Sequence, residues 1–391
     1  MLKTLSIRNF RGFEQFEMHD LGRVNLLVGT NNSGKTSVLE AIELLCSHGY
    51  LPAIWEAASR RGEVLMDAMD GGRPEISVRH LFHGHEIAAR NTFSIEARRG
   101  DGAESLTAVI TAAQNGTTKT TPQPTIASRG ERSQVPTKGL ESWEHCELDR
   151  IDPWRDPLDL ELLWKGKTIA EVVLRLTEQG GAKWGSVRGV ANPTAKRAPK
   201  AIFVTTASLT ADEAVAAFDG IVLTREETFV VDALRIIEPT IERLAATVAP
   251  EHRTFNGEAR GGLFVKCTGL EQRIPIGSMG DGIWRMLGLA LALARAENGV
   301  LLVDEIDTGL HFTVMVDMWK MVAATAERLG VQVFATTHSR DCYESLAAIA
   351  HDTVSEGSNV TIQRIEREKG RAVPYTEQEI VAAAERGIEV R

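Results

Sequence analysis

A loop with two glycines, a lysine and three hydroxyl side chains occupies residues 29–36, GTNNSGKT. It fits the pattern G-x-x-x-x-G-K-[ST], in which glycines let backbone N–H groups curl around phosphates. Lys35 would reach the terminal phosphates, and Thr36 would hold Mg²⁺. A glycine turn that merely precedes a helix is the alternative, but the loop lies between an apolar run and an apolar helical pattern. The residues predicted to bind the nucleotide are Gly29, Asn31, Asn32, Ser33, Gly34, Lys35, Thr36 and Ser37.

Two adjacent carboxylates follow a second apolar run, GVLLV at residues 299–303. Asp304 would lie at the carboxyl end of a buried strand, where it could bind the metal together with Thr36. Glu305 suits a general base that polarises the attacking water. An isolated pair of this kind is usually a solvated strand end. Beside a phosphate-binding loop, it predicts a hydrolytic site in which Glu305 and Lys35 are catalytic.

A histidine ends the next apolar run, VFATTHS at residues 333–339. A lone histidine is more often an ordinary core or surface residue. At the end of a strand in the same sheet, however, the ring of His338 could touch the γ-phosphate from the edge that carries Asp304. His338 is therefore the third predicted catalytic residue.

The elements that must position these residues are strands alternating with helices. The run Val24–Val28 predicts a buried central strand, and runs at 300–303 and 331–336 predict two more. Helical spacing of apolar residues at 283–297 and 312–329 indicates the connecting helices, so the sheet should be parallel. The first 18 residues alternate loosely and predict a β-hairpin that covers one face of this sheet.

The middle of the chain has a different character. Residues 111–139 are rich in Thr, Gln, Pro and Gly, and we expect a mobile loop because so few apolar side chains can be buried. Residues 158–176 alternate like antiparallel strands, and 211–247 has mostly helical character. The expected organisation is an ATPase lobe at 1–100, an inserted β-rich region at 101–208, a helical segment at 209–260 and the return of the lobe at 261–391.

Composition excludes several classes of protein. With 43% hydrophobic and 25% charged residues, the 391-residue chain resembles ordinary soluble proteins. A net charge of -9 lacks the broad basic surface of proteins that coat nucleic acid, although a local DNA-binding groove stays open. The longest apolar run, 287–294, is too short to cross a bilayer, and the amino terminus is no signal peptide, so no membrane association and a cytoplasmic location are expected. Cys46, Cys146, Cys267 and Cys342 lack paired spacings and are expected to be free thiols.

The motifs together resemble the ABC-type ATPase class, in particular its SMC, RecF and OLD (overcoming lysogenization defect) group. The segments LSIRNFRGFEQFEM, GTNNSGKTSVLEAI, LLVDEIDTGLH and ATTHS carry the resemblance, which covers roughly 1–100 and 200–391. It implies an α/β P-loop NTPase fold, an ATPase head with a mixed β-sheet and an inserted α+β region. It also implies ATP and Mg²⁺ as cofactors and a homodimer that closes on ATP.

A candidate signature motif lies in IGSMGDGIWRMLGLALAL, where Ser278 and Gly280 precede a long helix. The amino end of that helix could donate to the γ-phosphate of the other copy. Met279 and Asp281 replace the first glycine and the glutamine of the usual Leu-Ser-Gly-Gly-Gln, which resembles OLD-type ATPases more than transporters. The resemblance makes Asp307 the D-loop residue that bridges the two copies. No Q-loop glutamine is identified.

Three other features carry weaker signals. His80, His83 and His85 cluster in RHLFHGHE, but no carboxylate or cysteine motif accompanies them, so a metal site is not predicted. Arg11 could touch the nucleotide, carry a charge at an interface or be a solvated strand residue. The basic cluster AKRAPK at 195–200 is read as a solvated loop.

The function expected from the resemblance is that of an ATPase switch. The middle of the chain has no heptads for an SMC coiled coil, and no Asp-x-Asp of a Toprim nuclease occurs. We therefore expect an ATPase without its own nuclease, acting on a separately encoded effector, a nuclease or a toxin, in phage defence. A DNA-repair or DNA-clamping ATPase resembling RecF is the alternative. An ABC transporter subunit fits less well, because of the atypical signature and the missing glutamine.

Overall fold

A computed structural model describes residues 1–65, 75–113, 157–190, 201–247, 262–353 and 360–386. Within these ranges, fifteen strands form one hydrogen-bonded sheet and three form a second, smaller sheet. The strands are β1 Leu2–Phe10, β2 Phe13–Met18, β3 Val24–Val28, β4 Val64–Leu65, β5 Glu75–Ser77, β6 Thr92–Arg99, β7 Gly102–Ala112, β8 Leu158–Lys165, β9 Ile169–Leu176, β10 Gly181–Val190, β11 Ala201–Val204, β12 Ile241–Ala246, β13 Leu263–Cys267, β14 Ile274–Pro275, β15 Val300–Val303, β16 Gln332–Thr336, β17 Val360–Glu366 and β18 Arg371–Tyr375. The α-helices are α1 Lys35–Ser47, α2 Pro52–Arg60, α3 Ala211–Asp219, α4 Arg225–Arg235, α5 Asp281–Arg295, α6 Phe312–Arg328, α7 Arg340–Thr353 and α8 Glu377–Glu385.

One half of the large sheet is parallel, in the order β11-β15-β16-β3-β17. Every residue of β3, β15 and β16 is buried, as expected for strands with both faces covered. Because these strands run the same way, their carboxyl ends meet at one edge of the sheet. The predicted α/β fold of P-loop NTPase type, with a mixed sheet, is therefore confirmed.

The other half of the sheet is antiparallel and follows the order β2-β1-β6-β7-β8-β9-β10-β5-β4, and β18 joins the halves by pairing antiparallel with β17 and parallel with β2. The expected hairpin β1–β2 forms, but it does not cover a face of the sheet. Ile7 of β1 pairs with Phe16 of β2 on one side and with Ile95 of β6 on the other. The hairpin thus lies within the sheet, because both of its edges find backbone partners.

The expected domain boundaries differ from the observed strands in three places. Strands β7 to β10 of the region called inserted continue the large sheet, and β11 pairs in parallel with β15 of the ATPase lobe. Within 209–260, β12 is a strand of the small sheet rather than helix, because it pairs along its length with β13. Thr111 and Ala112, assigned to the loop 111–139, belong to β7. Residues 114–139 and the cluster at 195–200 lie outside the described residues.

Two hydrophobic cores cover the two faces of the sheet. Leu26 of β3 contributes to the core that contains α5, α6 and α7, whereas Leu27 contributes to the core that contains α1. Helix α1 is buried along nearly its whole length, and Trp164 of β8 donates an indole hydrogen bond to the carbonyl of Leu44 at 2.9 Å. Burying each large apolar side chain of such a helix contributes about 1.5–3 kcal/mol. Helix α1, which begins at the end of the glycine loop, is therefore fixed in place by core packing.

Candidate functional site

The glycine loop connects β3 to α1 through backbone conformations that few side chains tolerate. Gly34 has a φ of 97°, and a Cβ placed on it would lie 2.3 Å from Cζ of Phe13. Glycine is therefore required here for both its conformational freedom and its small volume. Helix α1 begins at the next residue, so its first amide groups, which lack carbonyl partners within the helix, point into the loop and favour an anion there.

The lysine of the loop is buried inside the loop it belongs to. Lys35 is 6% exposed, and its Nζ donates to the carbonyls of Gly29 at 2.9 Å and Thr30 at 3.0 Å. Burial lowers the pKa of Lys35, and the nearby carboxylates of Asp304 and Glu305 oppose this shift. The ammonium group thus lies among the oxygen atoms of the loop, facing the two predicted acidic residues.

The two predicted metal ligands meet although they lie 268 residues apart in sequence. The hydroxyl of Thr36 donates to Oδ1 of Asp304 at 3.2 Å and to Oδ2 at 3.3 Å. Neighbouring ligands of an octahedral Mg²⁺, bound at about 2.0–2.1 Å each, lie about 3 Å apart. The hydroxyl and carboxylate oxygens are therefore close enough together to serve as neighbouring hard ligands of one Mg²⁺ ion.

A threonine that the sequence did not point to bonds the carboxylate of Asp304 and the backbone of Glu305. The hydroxyl of Thr336, at the end of β16, donates to Oδ1 of Asp304 at 2.7 Å and accepts from the backbone N–H of Glu305 at 2.8 Å. Thr336 is fully buried. One hydroxyl thus uses both its donor and an acceptor position to orient Asp304 and the backbone of Glu305.

Glu305 and His338 lie together at the same edge of the sheet. His338 Nε2 is 3.9 Å from Oε1 of Glu305, and the two side chains are 40% and 43% exposed. Glu305 has a φ of 46°, a left-handed conformation that costs a non-glycine residue about 1–2 kcal/mol. A carboxylate that is open to solvent beside a metal site can accept a proton from water.

Asp307 is joined to the segment that carries His338. The hydroxyl of Thr337 donates to Oδ1 of Asp307 at 2.7 Å and accepts from the N–H of Ser339 at 2.9 Å. The turn after Glu305 and the turn after β16 are thereby tied together within one chain. The role of Asp307 as a bridge between two copies stays a prediction.

The predicted signature residues lie at the start of α5. Ser278 is in a 3₁₀ turn, Ile276–Met279, and Gly280, with a φ of 96°, directly precedes the helix. Both residues are exposed. A Cβ placed on Gly282 would lie 3.1 Å from the carbonyl oxygen of Gly309, so the first turn of α5 packs closely on the segment that follows Asp307.

Arg11 is neither solvated nor on a strand. It lies in the turn between β1 and β2 with a φ of 49°, is 5% exposed, and forms ion pairs of 2.6 Å with both Glu40 and Glu63. Arg61 completes this network, since it bonds Glu40 at 2.8 Å and the hydroxyl of Ser37 at 3.2 Å. The hydroxyl of Ser37, which was predicted to bind the nucleotide, therefore accepts a hydrogen bond from this arginine–glutamate network instead.

The histidines of RHLFHGHE surround the turn that holds Arg11. Nδ1 of His83 lies 3.0 Å from the carbonyl of Arg11, so that nitrogen carries the proton and donates. Nδ1 of His80 lies 3.4 Å from Nδ1 of His85. No group of three or more His, Cys, Asp or Glu side chains that could hold a metal occurs among the described residues.

An open cleft of about 1640 Å³ adjoins the glycine loop on the side of the β1–β2 hairpin. Phe13, Asn31, Asn32 and Arg367 are among the residues that line it. Arg367 spans the cleft, since it donates to the carbonyls of Gly12 at 2.8 Å and Asn32 at 3.4 Å. A nucleotide held by its phosphates in the loop has room here for its ribose and base.

Two other expectations concern the whole chain. Cys46, Cys267 and Cys342 are buried and are not in disulfide bonds, while Cys146 lies outside the described residues. In the part of the chain that the structure describes, no helix combines the length and the apolar character needed to span a membrane.

Two family models match separate parts of the chain. The model described as "AAA ATPase domain" matches residues 1–78, which contain the glycine loop. The model described as "AAA domain, putative AbiEii toxin, Type IV TA system" matches residues 213–341, which contain the start of α5, both carboxylates and His338.

Short segments match curated proteins. Over 47 residues the chain is 43% identical to the uncharacterized protein MJECL10 of Methanocaldococcus jannaschii, covering 12% of this chain and 22% of that protein. Over 41 residues it is 58% identical to the DNA replication and repair protein RecF of Nitrosococcus oceani, covering 10% of this chain and 11% of that protein. The chain thus matches less than a quarter of the length of either relative.

A solved structure aligns over nearly the whole chain. It is an SMC head bound to the C-winged helix domain of ScpA, with a TM-score of 0.45 and 13% identity, and the alignment covers 96% of this chain and 98% of that chain.

Proposed function

We propose that this chain, an ABC-type ATPase of the SMC/RecF group, binds Mg²⁺·ATP with Lys35, Thr36 and Asp304 and hydrolyses it. The observation that carries the proposal is the contact of the Thr36 hydroxyl with the Asp304 carboxylate at 3.2 Å. This contact brings the end of the phosphate-binding loop to Asp304, and the distance between the two oxygens is close to that between two neighbouring ligands of one Mg²⁺ ion. Bound Mg²⁺ would neutralise charge on the phosphate oxygens during transfer.

In this proposal, the residues of the chain divide the chemistry among them. Lys35 leaves the carbonyls of Gly29 and Thr30 and pairs with the terminal phosphates. Glu305, whose side chain is 43% exposed, accepts a proton from the attacking water. His338, 3.9 Å from Glu305, contacts the γ-phosphate from the same edge.

The second half of each active site comes from another copy of the chain. Ser278 and Gly280 are exposed at the amino end of α5, where unpaired amides favour an anion. In the proposed homodimer, this helix end closes on the nucleotide of the partner copy, and Asp307 lies at the interface between them. ATP binding would then hold the two copies together, and hydrolysis would release them.

The proposed cellular role is to switch a separately encoded effector, a nuclease or a toxin, in defence against phage. The support is the resemblance to OLD-type ATPases and the family description that names a toxin of a type IV toxin–antitoxin system. The gene adjacent to this one is the first candidate for the effector. Cells carrying both genes should survive phage challenge, whereas cells carrying the Lys35→Ala variant with the same adjacent gene should not.

A DNA-repair or DNA-clamping ATPase is the second candidate. The observation in its favour is the segment that is 58% identical to RecF. ATP-dependent binding to duplex DNA that weakens steeply between about 50 and 200 mM salt would support this candidate over the effector switch.

Phosphate release from ATP tests the catalytic proposal. Wild type should release phosphate with Mg²⁺ and not in excess EDTA, and Lys35→Ala should neither bind nor hydrolyse the nucleotide. Lys320→Ala is the matched control, since Lys320 is an exposed lysine on α6. Equal turnover in Lys35→Ala and Lys320→Ala would show that the glycine loop takes no part in the reaction.

A further inference from the structure

A buried arginine on α5 contacts the backbone that carries the two carboxylates. Arg285 is 2% exposed. Its Nη2 donates to the carbonyl oxygens of Asp304 at 2.8 Å and Glu305 at 2.7 Å, and its Nη1 donates to that of Thr205 at 2.5 Å. Its Nε lies 3.5 Å from the carbonyl oxygen of Ile306. One guanidinium therefore donates hydrogen bonds to carbonyls that directly follow two neighbouring strands, β11 and β15.

Such a site is costly for a cation. Desolvation lowers the pKa of Arg285 to about 10, while Asp307, Asp304 and Glu305 act in the opposite direction. The side chain stays charged at neutral pH, and the acceptors of its hydrogen bonds are backbone carbonyls. A planar guanidinium has five donors on three nitrogens in a fixed fork, so it reaches carbonyls on two strands, whereas the three donors of an ammonium group share one nitrogen.

The contacts of Arg285 fix the unusual backbone of Glu305. Glu305 has a φ of 46°, so its peptide groups point in directions that a regular strand would not allow. Thr336 accepts from its N–H at 2.8 Å, and Arg285 donates to its carbonyl at 2.7 Å. Both polar groups of this one residue are thereby held, which fixes the direction in which its side chain leaves the backbone.

The same helix is fastened to the segment that follows β11. Trp284, next to Arg285, donates its indole N–H to the carbonyl of Leu209 at 3.2 Å. A Cβ placed on Gly288 would lie 2.0 Å from Oγ of Ser208 and 3.6 Å from the backbone nitrogen of Leu209, so the helix packs closely on this segment. The start of α5 and the turn that carries Glu305 are therefore parts of one packed unit.

We propose that Arg285 is a positioning residue that couples the start of α5 to the direction of the Glu305 carboxylate. Hydrolysis then depends on Arg285, whereas nucleotide binding depends on it little, because Lys35 and Thr36 lie on another element and the Asp304 carboxylate keeps its contacts with Thr36 and Thr336. The inference rests on the proposed ATPase function for its kinetic consequence. Its structural consequence, a fixed backbone at 304–308, is independent of any reaction.

Kinetics give the first test, with Arg285→Met, Arg285→Lys and the control Arg295→Met. Arg295 is an exposed arginine in the last turn of the same helix. Arg285→Met should lower kcat at least about 100-fold, because a small misplacement of a catalytic group has this effect, while the Kd for ATP changes less than about threefold. Arg285→Lys keeps the charge but loses the fork, so kcat should fall about tenfold. A Kd that rises in step with the fall in kcat would overturn the proposal.

Amide hydrogen exchange without nucleotide gives the second test. The N–H groups of Asp304, Glu305, Ile306 and Thr308 all donate hydrogen bonds in the structure. They should exchange at least about tenfold faster in Arg285→Met than in Arg295→Met, with strand β16 unchanged. If Arg285→Met does not fold, Arg285→Lys decides the matter with the same measurements.

The two tests separate the two proposals. Suppose that amide exchange at 304–308 is faster in Arg285→Met than in Arg295→Met, but that the wild-type protein hydrolyses no ATP. This outcome would support the positioning role and reject the ATPase function. Unchanged exchange in both Arg285 variants would overturn the positioning role, whatever the wild-type turnover is.

Discussion

Replacing Thr336 by valine tests how the acidic strand end is built. Valine has nearly the same shape but no hydroxyl, so the change removes two hydrogen bonds and little volume. One is the bond to Oδ1 of Asp304 at 2.7 Å, and the other is the bond from the N–H of Glu305 at 2.8 Å. Thr336 is fully buried, so water cannot easily replace the lost hydroxyl.

The expected loss of stability follows from these two bonds. A hydrogen bond to a charged group contributes about 1.5–3 kcal/mol, and a buried amide left without a partner costs about 1–3 kcal/mol. Some relaxation toward solvent is available because the side chain of Glu305 is exposed, so we expect Thr336→Val to lower the free energy of unfolding by about 2–4 kcal/mol. Thr336→Ser keeps the hydroxyl and loses one methyl group, which costs about 1 kcal/mol.

Urea unfolding and Mg²⁺ titration of ATP binding measure the two consequences. The carboxylate of Asp304 loses the shorter of its two hydroxyl hydrogen bonds in Thr336→Val, so the Mg²⁺ concentration at half-saturation should rise about 10–100-fold, as for the loss of other groups that orient metal ligands. Serine should raise it less than about threefold. Equal stability and equal Mg²⁺ requirement in the valine and serine variants would refute this account of Thr336.

Three more predictions follow from other parts of the structure. Burial raises the pKa of Glu43 to about 7, so between pH 4.5 and 7 the folded chain holds a proton that the unfolded chain has lost, and stability falls as the pH rises. Glu43→Gln should flatten this fall between pH 5 and 7.5 in urea unfolding; an equally steep fall would exclude Glu43 as its source. Gly34→Ala should destabilise the chain by more than about 2 kcal/mol and abolish ATP binding, because its φ of 97° is combined with a steric overlap. Gly62→Ala, with a φ of 69° and no atom within 4 Å of the added Cβ, should cost only about 1 kcal/mol, and equal losses would show that the overlap is unimportant. Mixing Lys35→Ala with Ser278→Arg should recover about a quarter of wild-type turnover, because half of randomly assembled dimers are mixed and each has one intact site. If native mass spectrometry detects mixed dimers and these show no turnover, the claim that each site is completed by the partner copy and works independently of the other site is contradicted.

The sequence predicted the centre of the site because its residues lie at the ends of apolar runs. The carboxyl ends of parallel strands meet at one edge, so the positions of β3, β15 and β16 were enough to bring Thr36 beside Asp304. The same reasoning placed His338 near Glu305. Strand β15, at Val300–Val303, has the predicted bounds.

The residues that support the site were not predictable in this way. Thr336 and Arg285 act through contacts with backbone groups of another element, which leave no spacing in the sequence. A threonine at the end of a buried strand and an arginine inside an apolar helix were the available signals, and each has several ordinary explanations. Their roles became apparent from the three-dimensional contacts.

The errors have physical causes as well. Arg11 has strand-like neighbours, yet it occupies a turn and is buried because two glutamates pair with it. Strand β12 contains residues common in helices, and its pairing with β13 overrides that local preference. Local patterns thus fixed most elements, whereas tertiary pairing decided these two.

The most direct test of the proposed reaction is Glu305→Gln, with ATP binding and phosphate release measured on the same preparation in Mg²⁺. Glutamine keeps the size of the side chain but cannot accept a proton from water as a carboxylate does. A positioned general base contributes about 10²–10⁴-fold, so the variant should bind ATP like wild type and hydrolyse it at least about 100-fold more slowly. Turnover equal to that of wild type would contradict the assignment of Glu305 as the base and, with it, the central claim about this site.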